Sequence, residues 1–262
     1  MVFGSKSAVE AQQFAAGATA LTGRSLSSNV RFFMDIPSAH VFEALSEKGV
    51  TQLHHANSVA TACQFIRSRS LLSRGNVERL SLAQTPQESD KADRRYSIWF
   101  DVFLDSVDIH NRASRANVYG PILFVFDINI INKNGTGRIW VTKKNPTKWE
   151  GKPDKDRWFQ GKNDLDENFV KGRFDQMIVL RHCGGELPFG KHLKEIIFDD
   201  PEQKTNQDVD YYSMAVGALR LAMQDAGVDV PIRRRQCQEE CECKNYWGND
   251  NVRLAAMFDP KI

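Results

Sequence analysis

Hydrophobic and polar positions along the chain change period several times, and the changes mark elements. A short helix is predicted over Ala39 to Lys48, with Ser38 as its cap and Gly49 as its stop. Val50 to His54 reads as a strand. Ser58 then caps a helix in which Val59, Ala62, Cys63 and Ile66 recur at helical spacing. The apolar run Ile98 to Ile109 fits neither period cleanly; a helix is expected, since Ile98, Val102, Asp105 and Ile109 would then share a face. Tyr119-Gly120-Pro121 breaks the chain before Ile122 to Ile131, a strand rich in β-branched and aromatic residues. The turn Asn132 to Gly137 carries Asn-Gly, so Arg138 to Thr142 is expected to return as the hairpin partner. Met177 to Leu180 and Leu193 to Phe198 read as further strands, separated by a turn at Gly184-Gly185. Asp210 to Ala226 is a helix with the apolar face Tyr211, Met214, Ala215, Ala218, Leu221 and Ala222, ended by Gly227. Strands in the middle with helices on both sides predict an α+β fold.

Composition narrows the class. A chain of 262 residues can hold one large domain or two small ones. Hydrophobic residues at 41% and charged residues at 26% exclude global disorder. The net charge of +2 announces no polyanion partner, so any contact with one must come from a local patch. No run approaches the ~18 apolar residues of a membrane span. Residues 1–22 lack the basic start and apolar core of a signal peptide, so a cytoplasmic protein without membrane contact is expected. The expected organisation is an arm over residues 1–35, a domain over 36–227, and a tail or small closing subdomain over 228–262.

Five cysteines, three of them clustered as Cys237, Cys241 and Cys243, argue against a secreted disulfide framework. They read as solvent-facing thiols on a helix. Zinc is the alternative, and would need a fourth ligand that only the fold could bring, such as His182 or Cys183. No metal ligand is assigned on sequence. Of the adjacent His54 and His55, only one can face a cleft if both lie on a strand. Asp101, Asp105 and Asp108 would share a helical face near His110, which suggests a divalent-metal nuclease or a solvated face. Arg74 and Arg95 bracket an irregular stretch and suit a phosphate clamp. The long polar stretch from Lys143 to Arg173 carries Trp149, Trp158 and Phe159. Lys148 and Arg157 beside Trp149 and Trp158 pair cations with rings, as a single-stranded nucleic-acid platform does. The alternative is that the rings pack back onto the domain. Dinucleotide-fold, P-loop, hydrolase-elbow and zincin motifs are all absent.

In order along the chain, Leu53-His54-His55-Ala56-Asn57-Ser58, Leu71-Leu72-Ser73-Arg74, Tyr119-Gly120-Pro121 with its strand, and the Trp-containing loop before Gln176-Met177-Ile178-Val179-Leu180 resemble the DarT-like ADP-ribosyltransferases. These are nucleic-acid-modifying toxins and phage-defence effectors. The resemblance spans roughly residues 50–200 and implies a split β-sheet core with flanking helices. It further implies NAD as donor, a base in single-stranded RNA or DNA as acceptor, and an antitoxin or chaperone partner contacting residues 1–30 or 228–262. Carried over, His54 or His55 with Asn57 would bind NAD, Tyr96 or Tyr119 would stack on nicotinamide, and Arg74 or Arg95 would hold the pyrophosphate. The position where the family has its catalytic Glu falls on Gln176, which cannot act as a base. A deliberate Glu-to-Gln replacement, a takeover by Asp175, or catalysis by Glu186 are the three readings of that departure. A metal-dependent nuclease and a non-catalytic nucleotide- or partner-binding module are the competing functions.

Overall fold

The computed structural model describes residues 34–87, 89–112, 118–133, 137–237, 241–248 and 250–260. All but the last two residues of the expected arm lie outside them, as does the Asn134-Gly135 turn. In chain order, β1 (Ile36–Pro37) and α1 (Ser38–Glu47) lead to β2 (Gln52–Asn57), α2 (Val59–Ser68) and β3 (Ser70–Leu72). The helices α3 (Arg74–Arg79) and α4 (Asp90–Arg95) precede β4 (Val102–Leu104) and α5 (Ile109–Arg112). Next come β5 (Ile122–Asp127), α6 (Ile130–Lys133) and β6 (Arg138–Val141). The polar stretch holds a 3-10 turn at Pro146–Lys148, then α7 (Asp154–Arg157) and α8 (Lys162–Asn168). The remainder is β7 (Ile178–Leu180), β8 (Glu186–Pro188), β9 (Leu193–Asp200), α9 (Tyr211–Ala226), β10 (Ile232–Gln236), α10 (Glu242–Gly248) and α11 (Asn251–Phe258). No helix among the described residues is long and apolar enough to cross a membrane.

The fold is α+β, and its strands divide into two four-stranded sheets, β1-β6-β7-β4 and β10-β9-β5-β2, with β3-β8 as a small separate pair. Ile122 to Phe126 is an unbroken apolar run because β5 lies inside its sheet with both faces covered. That position also corrects the expected hairpin. Both edges of β5 are taken, by β2 and β9, so Arg138 to Val141 cannot pair with it. Ile130 and Ile131 turn into α6 and the core instead, and β6 joins β1 and β7 in the other sheet.

The helix expected over Ile98 to Ile109 is also absent. Val102 and Leu104 are buried while Phe103 between them is half-buried, the alternation of a strand, and β4 pairs with β7. The aspartates therefore share no helical face. The helix from Tyr211 forms as expected: Asp210 caps it by accepting from the Ser213 amide at 2.7 Å, and Gly227 ends it at φ 62°. After α9, Cys243, Trp247, Leu254, Met257 and Phe258 join the same core. The β10 strand extends the sheet in parallel beside β9, and Trp247 and Phe258 are buried, with Phe258 stacked on Phe198 at 6.0 Å.

Gly120 carries the tightest backbone approach near the end of β2. Its φ is 135°, and a Cβ there would lie 2.2 Å from the carbonyl carbon and oxygen of Asn57. No side chain can yield, because the obstacle is main chain. Gly120→Ala is expected to lose about 3 kcal/mol or more of stability, measured as a shift in the chemical-denaturation midpoint against the parent chain.

Candidate active site

The two large sheets meet at one antiparallel bridge. His54 and Asp105 exchange backbone hydrogen bonds of 2.9 and 2.8 Å, joining the edge of β2 to the residue after β4. A cleft opens along this seam. His55, Asn57, Arg74, Asp93, Asp101, Phe103, Asp105, Ile109, Tyr119 and Phe174 are among the residues that line it.

Strand alternation sends the two histidines in different directions, as expected. His55 lines the cleft, and its Nδ1 lies 2.8 Å from the Phe103 carbonyl oxygen. That acceptor fixes the proton on Nδ1 and leaves Nε2 as an acceptor, 3.5 Å from the Asn57 amide nitrogen. Burial lowers the His55 pKa, so the ring is neutral at pH 7. His54 does not line the cleft. It is buried with an unpartnered Nδ1, and burial likewise lowers its pKa. Asn57 is held in turn: its side-chain oxygen accepts from the Ser58 amide at 2.9 Å.

Arg74 follows Ser73, the cap of α3, whose hydroxyl accepts from the Asn76 amide at 3.1 Å. Its guanidinium grips Asp90 through two hydrogen bonds of 3.0 and 2.7 Å and donates a third, 2.9 Å long, to the Thr85 carbonyl. The fork is thus held rigid on one side, with its other N–H groups left for a ligand. Two carboxyls on the wall are poised near neutrality. Burial pushes Asp93 up to about 6. Burial also pushes Asp101 up to about 6, outweighing the Arg181 guanidinium 2.8 Å away.

Several expected site residues lie elsewhere. Gln176 is buried outside the cleft, where its Nε2 donates to the Asn168 carbonyl at 3.1 Å and its Oε1 accepts from the Val170 amide at 2.7 Å. One donor and one acceptor are both used, so the turn is built for an amide; a carboxylate would lose the first bond. Asp175 is committed too. Burial alone would raise its pKa, but Lys148 at 2.8 Å, the Asn145 amide and Lys144 outweigh burial and hold it below the ordinary value. Glu186 sits on β8 outside the cleft and accepts from the Ser70 hydroxyl at 2.7 Å. Arg95 is largely exposed, paired with Glu150 at 3.1 Å. Tyr96 packs on Trp149 at 5.4 Å rather than on the cleft.

The proposed base-stacking platform is a correction of the same kind. Trp149 and Trp158 are buried at 1% and 3% exposure, edge-on to one another at 4.8 Å. Arg157 covers Tyr96 and Trp149, and Lys148 is the partner of Asp175. The rings close a second small core with Ile98 and Val179, so they offer no face to a base. The nuclease arrangement dissolves as well, since Asp101 pairs with Arg181, and Asp108 with Arg235. Sequence reasoning missed Asp93, Phe103 and Phe174. Only the seam between the sheets brings them to the cleft, and no local spacing signals that.

Trp149→Ala is expected to lose about 3–5 kcal/mol of stability, because it empties a packed site. Gln176→Glu is expected to lose about 1–3 kcal/mol through the unmade bond to Asn168. Urea denaturation of both variants measures each loss; a base-stacking tryptophan would leave stability unchanged.

No family model and no curated relative matches the chain. Among solved structures, the DarT of Thermus sp. 2.9 in complex with ADP-ribosylated ssDNA is similar at a TM-score of 0.45 and 11% identity. The match covers 74% of this chain and 97% of that one.

Proposed function

We propose that the cleft at the sheet seam binds NAD and transfers its ADP-ribosyl group to a base of single-stranded RNA or DNA. The observation that carries this reading is the convergence of His55, Asn57, Arg74 and Tyr119 on one cleft. These are the four residues among the sequence candidates whose chemistry fits the parts of a dinucleotide. Neutral His55 offers Nε2 as acceptor to a ribose hydroxyl or the carboxamide, beside Asn57. The free edge of Arg74 takes pyrophosphate oxygens. Tyr119, with Phe103 and Phe174, supplies apolar walls for a ring.

Loss of nicotinamide leaves positive charge on the ribose. The carboxyls of Asp93, Asp101 and Asp105 line the same cleft, so the protein's contribution is positioning and electrostatic stabilisation of that charge. Because the Trp149 and Trp158 rings are buried, the acceptor base needs another face. Phe100, 49% exposed and next to Asp101, supplies it. Such an activity requires restraint in its own cell, and a neutralising antitoxin or chaperone contacting residues 1–30 or 228–262 follows from it.

A second reading, nucleotide binding without transfer, is favoured by Gln176 and Glu186, which both lie outside the cleft. Calorimetric titration with NAD, followed by incubation with labelled NAD and single-stranded DNA or RNA, separates the two. Binding with label on the polymer supports transfer; binding without label supports the second reading. No binding, or binding unchanged in His55→Ala, overturns both.

The cleft also fixes a pH profile. Below about 6, Asp93 and Asp101 are protonated, and above it both are negative. Affinity for the anionic ligand is therefore expected to fall as pH rises through about 6. In Asp93→Asn, that fall is expected to shrink.

A further inference from the structure

The three clustered cysteines are not solvent-facing thiols. Cys243 is buried, Cys237 and Cys241 are half-buried, and all three converge on His110, which is more than a hundred residues earlier in the chain. The four ligand atoms lie within 4.8 Å of one another. His110 Nε2 is 3.3 Å from the Cys241 sulfur, 3.4 Å from Cys237 and 3.9 Å from Cys243. We propose that His110, Cys237, Cys241 and Cys243 bind one zinc ion, which clips the residues after β10 to α5 beside the cleft.

Three observations carry this. The first is geometric. Zn–S bonds of about 2.3 Å and Zn–N bonds of about 2.0–2.1 Å in a tetrahedron place nitrogen and sulfur about 3.6 Å apart, the centre of the three distances above. The second is a count of donors. Nε2 has a single lone pair, and three thiols crowd toward it and toward one another; a cation at their centre would take a lone pair from all four groups at once. The third is the surrounding shell. His110 Nδ1 lies 3.0 Å from an Asp199 carboxylate oxygen, so this nitrogen carries the proton and Nε2 is left to ligate. Asp199 is itself held by Arg235, which also grips Asp108, and Asp108 accepts from the His110 amide at 2.9 Å. A carboxylate behind a histidine ligand, itself oriented by further bonds, is the arrangement that fixes ring and tautomer at zinc sites.

The sequence alternatives for the fourth ligand lie away from the cluster. His182 is exposed, and the Cys183 thiol donates to the Leu180 carbonyl. Four protein ligands leave no open position, so the role is structural rather than catalytic. On binding, the thiols release their protons and the ion takes three thiolates and a neutral imidazole. Cys237 directly follows β10, Cys243 lies in α10, and His110 is next to Ile109, which lines the cleft. The ion thus braces a cleft wall. This inference does not depend on what the cleft binds.

Elemental analysis of the full chain, purified without chelator, is expected to find one zinc per chain. Cobalt added after zinc removal is expected to give the visible bands and thiolate charge-transfer absorption of a tetrahedral site. Cys241→Ser and His110→Ala are expected to lose the metal, whereas Cys183→Ser keeps it. Because removal of a ligand can prevent folding, Asp199→Asn is the second variant. It retains all four ligands and is expected to weaken zinc binding about 10–100-fold in competition with a chromophoric chelator. Folded protein that carries no zinc and gives no cobalt spectrum overturns the proposal. So does a disulfide between two of the three cysteines in mass analysis of that same protein, or full zinc occupancy in His110→Ala.

Discussion

A single backbone bridge, between His54 and Asp105, determines how the two sheets of this protein address each other. Each sheet has an edge there, and the bridge is short enough to join the edges without merging them. Beyond it the strands diverge and the gap becomes the cleft. The register of β2 then decides which side chains enter. Slipping the strand by one residue would put His54 in place of His55 on the cleft wall. The β5 partner, pairing residue by residue from Gln52 to Asn57, holds that register, and the approach of Gly120 to Asn57 closes its end. The hydrogen bond from His55 to the Phe103 carbonyl ties a side chain of one sheet to the backbone of the other.

The charge pattern is a matter of neutralisation rather than display. The basic stretch from Lys143 to Arg157 shows an excess of cations in sequence, but the fold supplies counter-charges from within it and from outside. Lys143 pairs with Asp164, Lys144 and Lys148 share Asp175, and Arg157 pairs with Asp154. Arg181 lies over Trp140 and Trp158 while holding Asp101. One guanidinium therefore connects the aromatic core of this stretch to the cleft wall, and it offsets only part of the desolvation of the paired carboxyl. The near-neutral whole is the sum of many local balances.

Elements with strong local signals were legible in the sequence. The helix from Tyr211 has a cap, an apolar face and a terminating glycine, all short-range features, and it forms as they indicate. The strands at Ile122, Ile178 and Leu193 were equally plain. Partnership was not. Asn-Gly after a strand implies a hairpin only if that strand has a free edge, and β5 has none. Val102 to Leu104 is too short for period alone to separate strand from helix. Of the candidate site residues, His55, Asn57, Arg74 and Tyr119 flank junctions recognisable in sequence, and the fold brings these four to one cleft. Gln176 was misjudged because its position in the strand order matched an expectation, while its hydrogen bonds belong to a turn no sequence pattern reveals. The partnership of His110 with three distant cysteines exceeds any spacing rule.

The parallel placement of β10 beside β9 has a consequence for how the molecule assembles. Parallel neighbours need a crossover, here α9, so the outer edge of β9 waits for more than thirty residues to be synthesised before it is covered. Phe198 likewise waits for Phe258. During translation the nascent sheet therefore carries an open edge until β10 leaves the ribosome, and an uncovered Phe198 until Phe258 follows. Once in place, β10 is tied to β9 by ion pairs as well as by backbone bonds, Arg233 to Glu195 and Arg234 to Asp200.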